Sequence, residues 1–186
     1  MKKTDAIDIL CKDIPVDAPI LCTTGMISRE VFTANDRPNN FYMIGSMGYA
    51  SSIGIGIALN KPGLPVFVFD GDGSALMSLG NFPLIGYLQL ENFYHIIFDN
   101  EVYGSTGGQK TISSDINLAD IAKSSGYRST YKFSDPQELA ENFRNVIKNK
   151  GPVCVLIKVE PGNLKGIARV SYTPEEIHKR FKSVLK

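Results

Sequence analysis

Two acidic residues and two glycines stand together at the end of an apolar run, in the stretch "FVFDGDGSALM". Gly71 and Gly73 allow backbone N–H groups to approach a ligand closely, and Ser74 can cap the following helix or donate to an anion held there. Asp72 lies between the glycines and offers the hard oxygen that Mg²⁺ prefers. These residue types indicate a site for a diphosphate bridged to Mg²⁺, with Asp70 simply ending the strand.

A second loop can complete the coordination of the metal. Mg²⁺ takes about six oxygens in octahedral geometry, and the stretch "FDNEVYGSTGGQKT" offers Asp99 and Asn100 at the end of another apolar run. Asn100 follows Asp72 by the length of one helix and one strand, which is the span of a right-handed crossover to an adjacent strand. Each motif alone is more typical of a plain turn, but together they favour one shared crevice.

Short apolar runs alternate with segments of helical period along the chain. Runs rich in β-branched and aromatic residues predict strands at Pro19–Thr24, Phe41–Gly45, Leu64–Asp70, Phe93–Asp99 and Pro152–Glu160. The segments between and after them predict helices over 28–36, 47–60, 75–89, 116–126, 135–149 and 173–181, the last two with clear starts at Asp135 and Thr173. This alternation indicates an α/β fold, a doubly wound and mainly parallel sheet with helices on both faces. Such sheets bind ligands at the carboxyl ends of their strands.

Length and charge narrow the class of protein. The chain has 186 residues, with 20 Lys and Arg against 19 Asp and Glu, and we expect a single domain over 1–186. The formal net charge of +1 gives no reason to expect nucleic acid or an anionic membrane as a partner. Acidic residues interrupt the first stretch, "MKKTDAIDIL", so we expect neither a signal peptide nor a membrane anchor there. We therefore expect a soluble, cytoplasmic protein. Three scattered cysteines predict buried thiols.

Three further features have ordinary structural explanations. Gly54 and Gly56 in "SIGIGIA" suggest a dinucleotide site, but Leu59 stands where a third glycine belongs, so close helix packing is favoured. His95 lies within a predicted strand, where a hydrogen-bonded core histidine is the better interpretation, and His178 is expected to be solvated.

The pair "GDGS" and "DN" at this spacing resembles the signature of thiamine-diphosphate enzymes, in the domain that grips the cofactor's diphosphate. The resemblance implies that Asp72, Asn100 and the carbonyl oxygen of Val102 bind Mg²⁺. It extends to "TTG" and to "GSMGYASSIGIGIALN", and it implies that Gly45 offers its carbonyl to the cofactor's aminopyrimidine and that Met47 is the apolar wedge that bends the cofactor. The residues that it implies for thiamine diphosphate are Thr24, Gly25, Gly45, Ser46, Met47, Gly71, Gly73, Ser74, Asn100, Tyr103, Gly104, Ser105 and Thr106.

A narrower resemblance is to the decarboxylases of 3-phosphonopyruvate and 3-sulfopyruvate. It rests on "TTGMISRE", "GSMGYASS", "GDGSALM" and "DNEVYGSTGGQKT" in that order, and "YGSTGGQ" is its most diagnostic part. It implies non-oxidative decarboxylation of a 2-oxoacid with a second anion, phosphonate or sulfonate, on C3. Arg29 and Lys110 are candidates to bind that anion, and the glycine-rich loop from Glu101 to Ser114 is expected to close over the substrate.

The resemblance also implies that a part of the enzyme lies outside this sequence. In that family the glutamate that activates the cofactor belongs to a separate pyrimidine-binding domain, and none of Glu30, Glu91 or Glu101 matches its position. We therefore predict that this chain is the diphosphate-binding (beta) subunit of a split enzyme, in a hetero-oligomer with a pyrimidine-binding (alpha) subunit.

Two other functions stay open at this level. One is a subunit of a 2-oxoacid:ferredoxin oxidoreductase or other thiamine-diphosphate 2-oxoacid enzyme, although the scattered cysteines argue against a bound iron–sulfur cluster. The other, of a different class, is a non-catalytic phosphate- or nucleotide-binding module.

Overall fold

A six-stranded parallel sheet forms the centre of the molecule. The structure is a computed structural model that describes residues 1–162 and 166–185. The sheet strands run in the order β2-β1-β3-β4-β8-β7. Their bounds are β1 Ile20–Cys22, β2 Asn40–Tyr42, β3 Val66–Gly71, β4 Phe93–Asp99, β7 Ser129–Phe133 and β8 Val153–Lys158, and a separate antiparallel hairpin pairs β5 Val102–Tyr103 with β6 Gln109–Lys110.

Helices cover both faces of the sheet. They are α1 Lys3–Asp13, α2 Met26–Asn35, α3 Ala50–Asn60, α4 Asp72–Met77, α5 Asn81–Leu88, α6 Leu118–Ser124, α7 Pro136–Val146 and α8 Pro174–Val184, with a short 3₁₀ helix at Ile112–Ser114. Apolar residues of α1, α2 and α7 belong to one core cluster, and those of α3, α5 and α6 belong to the other. The predicted fold class, a doubly wound parallel sheet with helices on both faces, is confirmed.

The central strands are apolar along their whole length because both of their faces are covered. In β3, Phe67 and Phe69 pack into the first cluster, and Val66 and Val68 into the second. Every residue of β4 is buried. These strands therefore form the buried centre of the molecule, and the loops at their carboxyl ends lie at its surface.

The order of the strands places a crevice between β1 and β3. The chain leaves β1 towards β2 on one side and then returns to β3 on the other side, so the loops after β1 and β3 diverge. Parallel sheets of this kind bind ligands at such a switch point. In the part of the chain that the structure describes, no helix is long and apolar enough to span a bilayer.

The two predicted helix starts are confirmed in detail. The Asp135 side chain accepts hydrogen bonds from the N–H groups of Gln137 and Glu138, and Pro136 begins α7. Thr173 and Glu176 form a reciprocal capping box at the start of α8.

Several elements differ from the sequence-based prediction, among them the hairpin of β5 and β6 within the loop predicted over 101–114. The helix predicted over 75–89 is two helices, because the chain turns between α4 and α5. Helix α1 and strand β7 were not predicted, since α1 carries charge on its exposed face and β7 lies at the edge of the sheet, where only Phe133 is fully buried. Strand β3 continues past Asp70 to Gly71, so Asp70 does not end the strand.

Candidate functional site

A cleft opens at the carboxyl ends of β1, β3 and β4. Its lining gathers residues from the two loops predicted to form the site, together with the Thr24 and Met47 loops. The predicted residues that line it are Thr24, Met47, Gly71, Asp72, Gly73, Ser74, Asn100, Val102, Tyr103, Gly104 and Ser105. The structure therefore brings together residues that lie far apart in the sequence.

Asp72 is the first residue of α4, and its side chain is almost fully buried at the base of this cleft. Its Oδ2 atom accepts hydrogen bonds from the hydroxyl groups of Thr111 and Ser113, the second at 3.0 Å. Burial raises the pKa of the Asp72 carboxyl, and nearby Asp99 also raises it, whereas the two hydroxyl hydrogen bonds lower it. A cation beside Asp72 would offset the cost of this buried negative charge.

Asp99 supports the same cluster from the end of β4. Its Oδ1 atom accepts a hydrogen bond of 2.7 Å from Ser113, and its Oδ2 atom lies 2.8 Å from the ammonium group of Lys158. Lys158 also pairs with Glu101. Asp99 is therefore held by a hydroxyl and a cation, while the next residue, Asn100, lines the cleft.

The loop after β4 folds back on itself. The Asn100 side-chain oxygen accepts a hydrogen bond of 3.2 Å from the N–H of Val102, and the carbonyl of Val102 accepts one of 3.0 Å from Gly104. Glu101 adopts a positive φ of 62°, which makes this tight reversal possible. An amide oxygen and a main-chain carbonyl oxygen thus accompany the Asp72 carboxylate in the lining of one cleft.

Glycine is required at position 73 by its close neighbour. A Cβ atom built on Gly73 would lie 2.3 Å from Cε1 of Tyr103, so the tyrosine ring packs directly over the main chain. Ser74 is fully buried, and its hydroxyl group lies 2.8 Å from Thr23 Oγ1 and accepts a hydrogen bond of 3.0 Å from the N–H of Gly48. Ser74 therefore ties together the loops after β1, β2 and β3.

The loops after β1 and β2 meet at the edge of the cleft. The Thr24 hydroxyl group donates a hydrogen bond of 3.0 Å to the carbonyl of Ile44. Gly25 and Ser46 adopt positive φ angles of 91° and 54°, which shape the two turns. Met47 then lines the cleft.

Six predicted site residues lie outside the cleft lining, and two of them, Gly45 and Ser46, are exposed in the loop after β2. Gly25 and Arg29 line a second cavity that adjoins it. Thr106 is exposed, and its hydroxyl group donates a hydrogen bond of 3.1 Å to Gln109. Lys110 is exposed on β6.

The Arg29 side chain is directed at the main chain of a distant segment. Its Nη2 and Nε atoms donate hydrogen bonds of 2.6 and 3.1 Å to the carbonyls of Ile167 and Ala168. Arg29 was predicted to bind the substrate's second anion, but in this structure its guanidinium group holds protein carbonyls.

Several lining or supporting residues were not predicted from the sequence. Lys3 of α1 lines the cleft, and its ammonium group lies 3.3 Å from Glu30 with both side chains almost fully buried. Thr111 and Ser113 hold Asp72 from a distant part of the chain, and no local sequence signal marks them. Met26, Ile27 and Phe98 complete the lining, together with Thr23 of the predicted "TTG" loop.

The structural interpretations of His95, His178 and Gly54 are confirmed, whereas that of Gly56 is not. His95 is fully buried, with Nε2 at 3.2 Å from Asp70 Oδ2 and Nδ1 at 3.1 Å from the hydroxyl oxygen of Tyr127. A Cβ atom on Gly54 would lie 2.5 Å from a methyl group of Val68, which confirms close helix packing, whereas Gly56 has no neighbour within 4 Å. His178 is exposed, as predicted.

The predicted buried thiols are confirmed for two of the three cysteines. Cys22 and Cys154 lie in the two core clusters, and Cys11 is half-buried. Burial raises the pKa of all three thiols, to about 12 for Cys154.

The donor set fits Mg²⁺ better than a transition metal. Carboxylate, amide and carbonyl oxygens are the ligands that Mg²⁺ prefers, whereas zinc sites use Cys and His. Among residues 1–162 and 166–185, no group of three or more His, Cys, Asp or Glu side chains could hold a metal ion. A metal at this cleft would therefore rely on Asp72 together with neutral oxygens.

Comparison with known proteins assigns the chain to a family. The model of the thiamine pyrophosphate enzyme C-terminal TPP binding domain matches residues 22–157, and the chain belongs to this family. Within the family, it is 40% identical over 178 residues to a phosphonopyruvate decarboxylase of Streptomyces viridochromogenes, covering 96% of this chain and 45% of that protein. It is 38% identical over 186 residues to the sulfopyruvate decarboxylase subunit beta of Methanocaldococcus jannaschii, covering 100% of this chain and 97% of that subunit.

These matches confirm the resemblance stated from the sequence and also set its limits. The chain spans less than half the length of the phosphonopyruvate decarboxylases that it matches, but nearly all of the archaeal subunit beta. The solved benzoylformate decarboxylase from Polynucleobacter necessarius superposes with a TM-score of 0.71 at 17% identity, covering 88% of this chain and 34% of that chain. This last similarity concerns the fold alone.

Proposed function

We propose that this chain is the diphosphate-binding subunit of a thiamine-diphosphate- and Mg²⁺-dependent decarboxylase that acts on a 2-oxoacid with an anion on C3. The observation that carries the proposal is the single cleft at the switch point of the sheet, where the buried Asp72 carboxylate meets the Asn100 and Val102 loop. The similarity along the whole chain to phosphonopyruvate and sulfopyruvate decarboxylases supports the substrate class.

Asp72, Asn100 and the carbonyl of Val102 would hold Mg²⁺. Asp72 provides the charge, and its position is fixed by the hydroxyl groups of Thr111 and Ser113. Asp99 is neutralised by Lys158, which leaves Asp72 as the carboxylate available to the metal. We therefore assign Asp99 a supporting role.

The loops around Asp72 would hold the organic cofactor. Gly71, Gly73 and Ser74, with Tyr103, Gly104, Ser105 and Thr106, would surround the diphosphate, and Thr24 and Gly25 would line the same pocket. Gly45 would present its carbonyl to the aminopyrimidine beside Ser46, and Met47 would support the bent cofactor. Gly73 has no side chain of its own, which leaves room for the Tyr103 ring to pack directly over the main chain at this point of the cleft.

The residues of this chain would bind and orient the cofactor and would shield the cleft from water. Bound thiamine diphosphate would supply the electron sink for the loss of CO₂ from the 2-oxoacid. The segment from Glu101 to Ser114 is anchored at both ends, through Asp99 and through Asp72, and it would exclude water from the cleft between these anchors. The activating glutamate would come from a pyrimidine-binding (alpha) subunit, so the enzyme would be a hetero-oligomer.

We place this enzyme in the cytoplasm. All three cysteines are free thiols, as is usual in a reducing compartment. Two of them lie in apolar core clusters, where they serve packing.

An assay of CO₂ release tests the proposal. The chain is supplied with thiamine diphosphate, Mg²⁺ and either 3-phosphonopyruvate or 3-sulfopyruvate, alone and together with a pyrimidine-binding (alpha) subunit. We expect the corresponding aldehyde from one of the two substrates when both subunits are present. Full turnover by this chain alone would contradict the split arrangement, and no turnover of either substrate by the assembled pair would contradict the decarboxylase.

A further inference from the structure

A second cavity adjoins the cleft. The two share Thr24, Met26, Gly104 and Ser105 as a common wall. Arg29 and Arg169 are the charged residues in the described lining of this cavity, and no Asp or Glu is among its described lining residues. Its electrostatic character therefore favours an anion.

Arg29 and Arg169 have different surroundings. Arg29 donates to the carbonyls of Ile167 and Ala168, and its Nη1 atom lies 3.7 Å from the sulfur of Met26. Each of its three guanidinium nitrogens thus has a protein partner. Arg169 directly follows the two residues whose carbonyls Arg29 holds, and its side chain is exposed at the cavity.

The segment that carries Arg169 is also anchored on its other side. The Tyr172 hydroxyl group donates a hydrogen bond of 2.7 Å to Asp36, and the guanidinium group of Arg180 lies 3.8 Å above the Tyr172 ring. The ring also packs edge-on against Phe32. The main chain is therefore fixed before and after Arg169, which places this residue in the lining of the cavity.

We propose that this cavity receives the substrate's C3 anion, a phosphonate or a sulfonate, and that Arg169 donates hydrogen bonds to its oxygens. The proposal rests on the proposed function. Arg29 then acts as a positioning residue that holds the segment bearing Arg169. A guanidinium group offers paired N–H donors that match the oxygens of such anions, and Ser105 at the common wall adds a hydroxyl group. The ketone and carboxylate of the substrate would lie in the adjoining cleft.

The test compares Arg169→Met with Arg144→Met. Both substitutions remove one guanidinium group, and the Arg144 side chain is 72% exposed on α7, where it pairs with Asp13. Phosphonoacetate and sulfoacetate are titrated into the full chain by calorimetry, with propionate as the probe that lacks the second anion. In the assembled enzyme, steady-state kinetics with 3-phosphonopyruvate, 3-sulfopyruvate and pyruvate provide a second readout.

We expect Arg169→Met to raise the Kd of phosphonoacetate or sulfoacetate, and the KM of the matching substrate, at least about tenfold. Pyruvate kinetics and the Kd of thiamine diphosphate should stay unchanged, and Arg144→Met should resemble the wild type. The probe that binds more tightly to the wild type identifies the anion as phosphonate or sulfonate. An unchanged Kd of both probes in Arg169→Met would overturn the proposal.

Arg29 is tested separately as a positioning residue. Arg29→Met should raise KM for the anionic substrate with little change in kcat, and Arg29→Lys, which can still reach one carbonyl, should recover part of the loss. If Arg29→Met lowers thermal stability but leaves KM unchanged, Arg29 has only a structural role. Wild-type enzyme that decarboxylates nothing would contradict the proposed function, whereas the calorimetric titrations would still decide the anion site.

Discussion

At the scale of single residues, two carboxylates in one motif have different surroundings. Asp72 lies in the cleft and accepts hydrogen bonds from Thr111 and Ser113. Asp70 is fully buried in β3 and contacts His95, which contacts Tyr127. The sequence predicted the position of Asp72, but the contact between Asp70 and His95 depends on the register between β3 and β4 and leaves no local signal.

We predict that Asp70→Asn lowers the free energy of unfolding by about 1–3 kcal/mol, because it removes the charge that faces His95 in a fully buried site. Urea denaturation followed by circular dichroism measures the change. Asp8→Asn is the matched control, since Asp8 is exposed on α1 and its substitution should change stability by less than about 0.5 kcal/mol. Equal effects of the two substitutions would show that the buried contact contributes nothing.

Gly73 gives a second prediction at this scale. In Gly73→Ala the new Cβ would lie 2.3 Å from the Tyr103 ring, so the ring must move at the cleft. We expect the Kd of thiamine diphosphate to rise by about tenfold, a loss of about 1.4 kcal/mol. Gly80→Ala is the control because a Cβ atom added there would meet no neighbour within 4 Å. If calorimetric titration finds the same Kd of thiamine diphosphate for both variants, the contact between Gly73 and the Tyr103 ring does not matter for cofactor binding.

At the scale of elements, the sequence predicts the buried strands best. β4 matches its predicted bounds, and β3 and β8 lie within one or two residues of theirs, because long apolar runs are typical of strands covered on both faces. The break between α4 and α5 was missed although Ser78 and Gly80, which are typical of turns, lie in it. Edge strand β7 is half-exposed, so its burial pattern is weak.

Helix α3 allows a paired test of packing. A Cβ at Gly54 would lie 2.5 Å from Val68 and 3.0 Å from Phe93, so Gly54→Ala should lower the free energy of unfolding by about 1–3 kcal/mol. Gly56 lies on the same helix with nothing within 4 Å, so Gly56→Ala should raise it by about 0.5–1 kcal/mol through helix propensity. Urea denaturation of both variants measures the difference. Equal shifts would mean that α3 can move away from the sheet without cost.

At the scale of the whole molecule, the sheet acts as a frame for loops that are remote in sequence. Loops after β1, β2, β3 and β4 contribute to one cleft, and the sequence predicted this meeting from the rule that parallel strands present their carboxyl ends at one edge. The adjoining cavity was not predicted, because Arg169 reaches it through contacts of Arg29 and Tyr172 that connect distant parts of the chain.

The split-enzyme proposal also belongs to this scale. The chain matches nearly the full length of a protein named as a subunit beta and less than half of a phosphonopyruvate decarboxylase. The name of this relative indicates a partner subunit, which we propose to be the pyrimidine-binding one, so cofactor binding is best measured on the assembled pair.

The most direct measurement is a calorimetric titration of thiamine diphosphate into the assembled pair, with Mg²⁺ and with EDTA. We predict micromolar binding that requires Mg²⁺, that Asp72→Asn abolishes and that Asp70→Asn largely retains. Asp72→Asn should still fold, because an asparagine oxygen can accept the hydrogen bonds from Thr111 and Ser113. Binding without Mg²⁺, or equal loss of binding in the two variants, would contradict the assignment of Asp72 as the metal ligand.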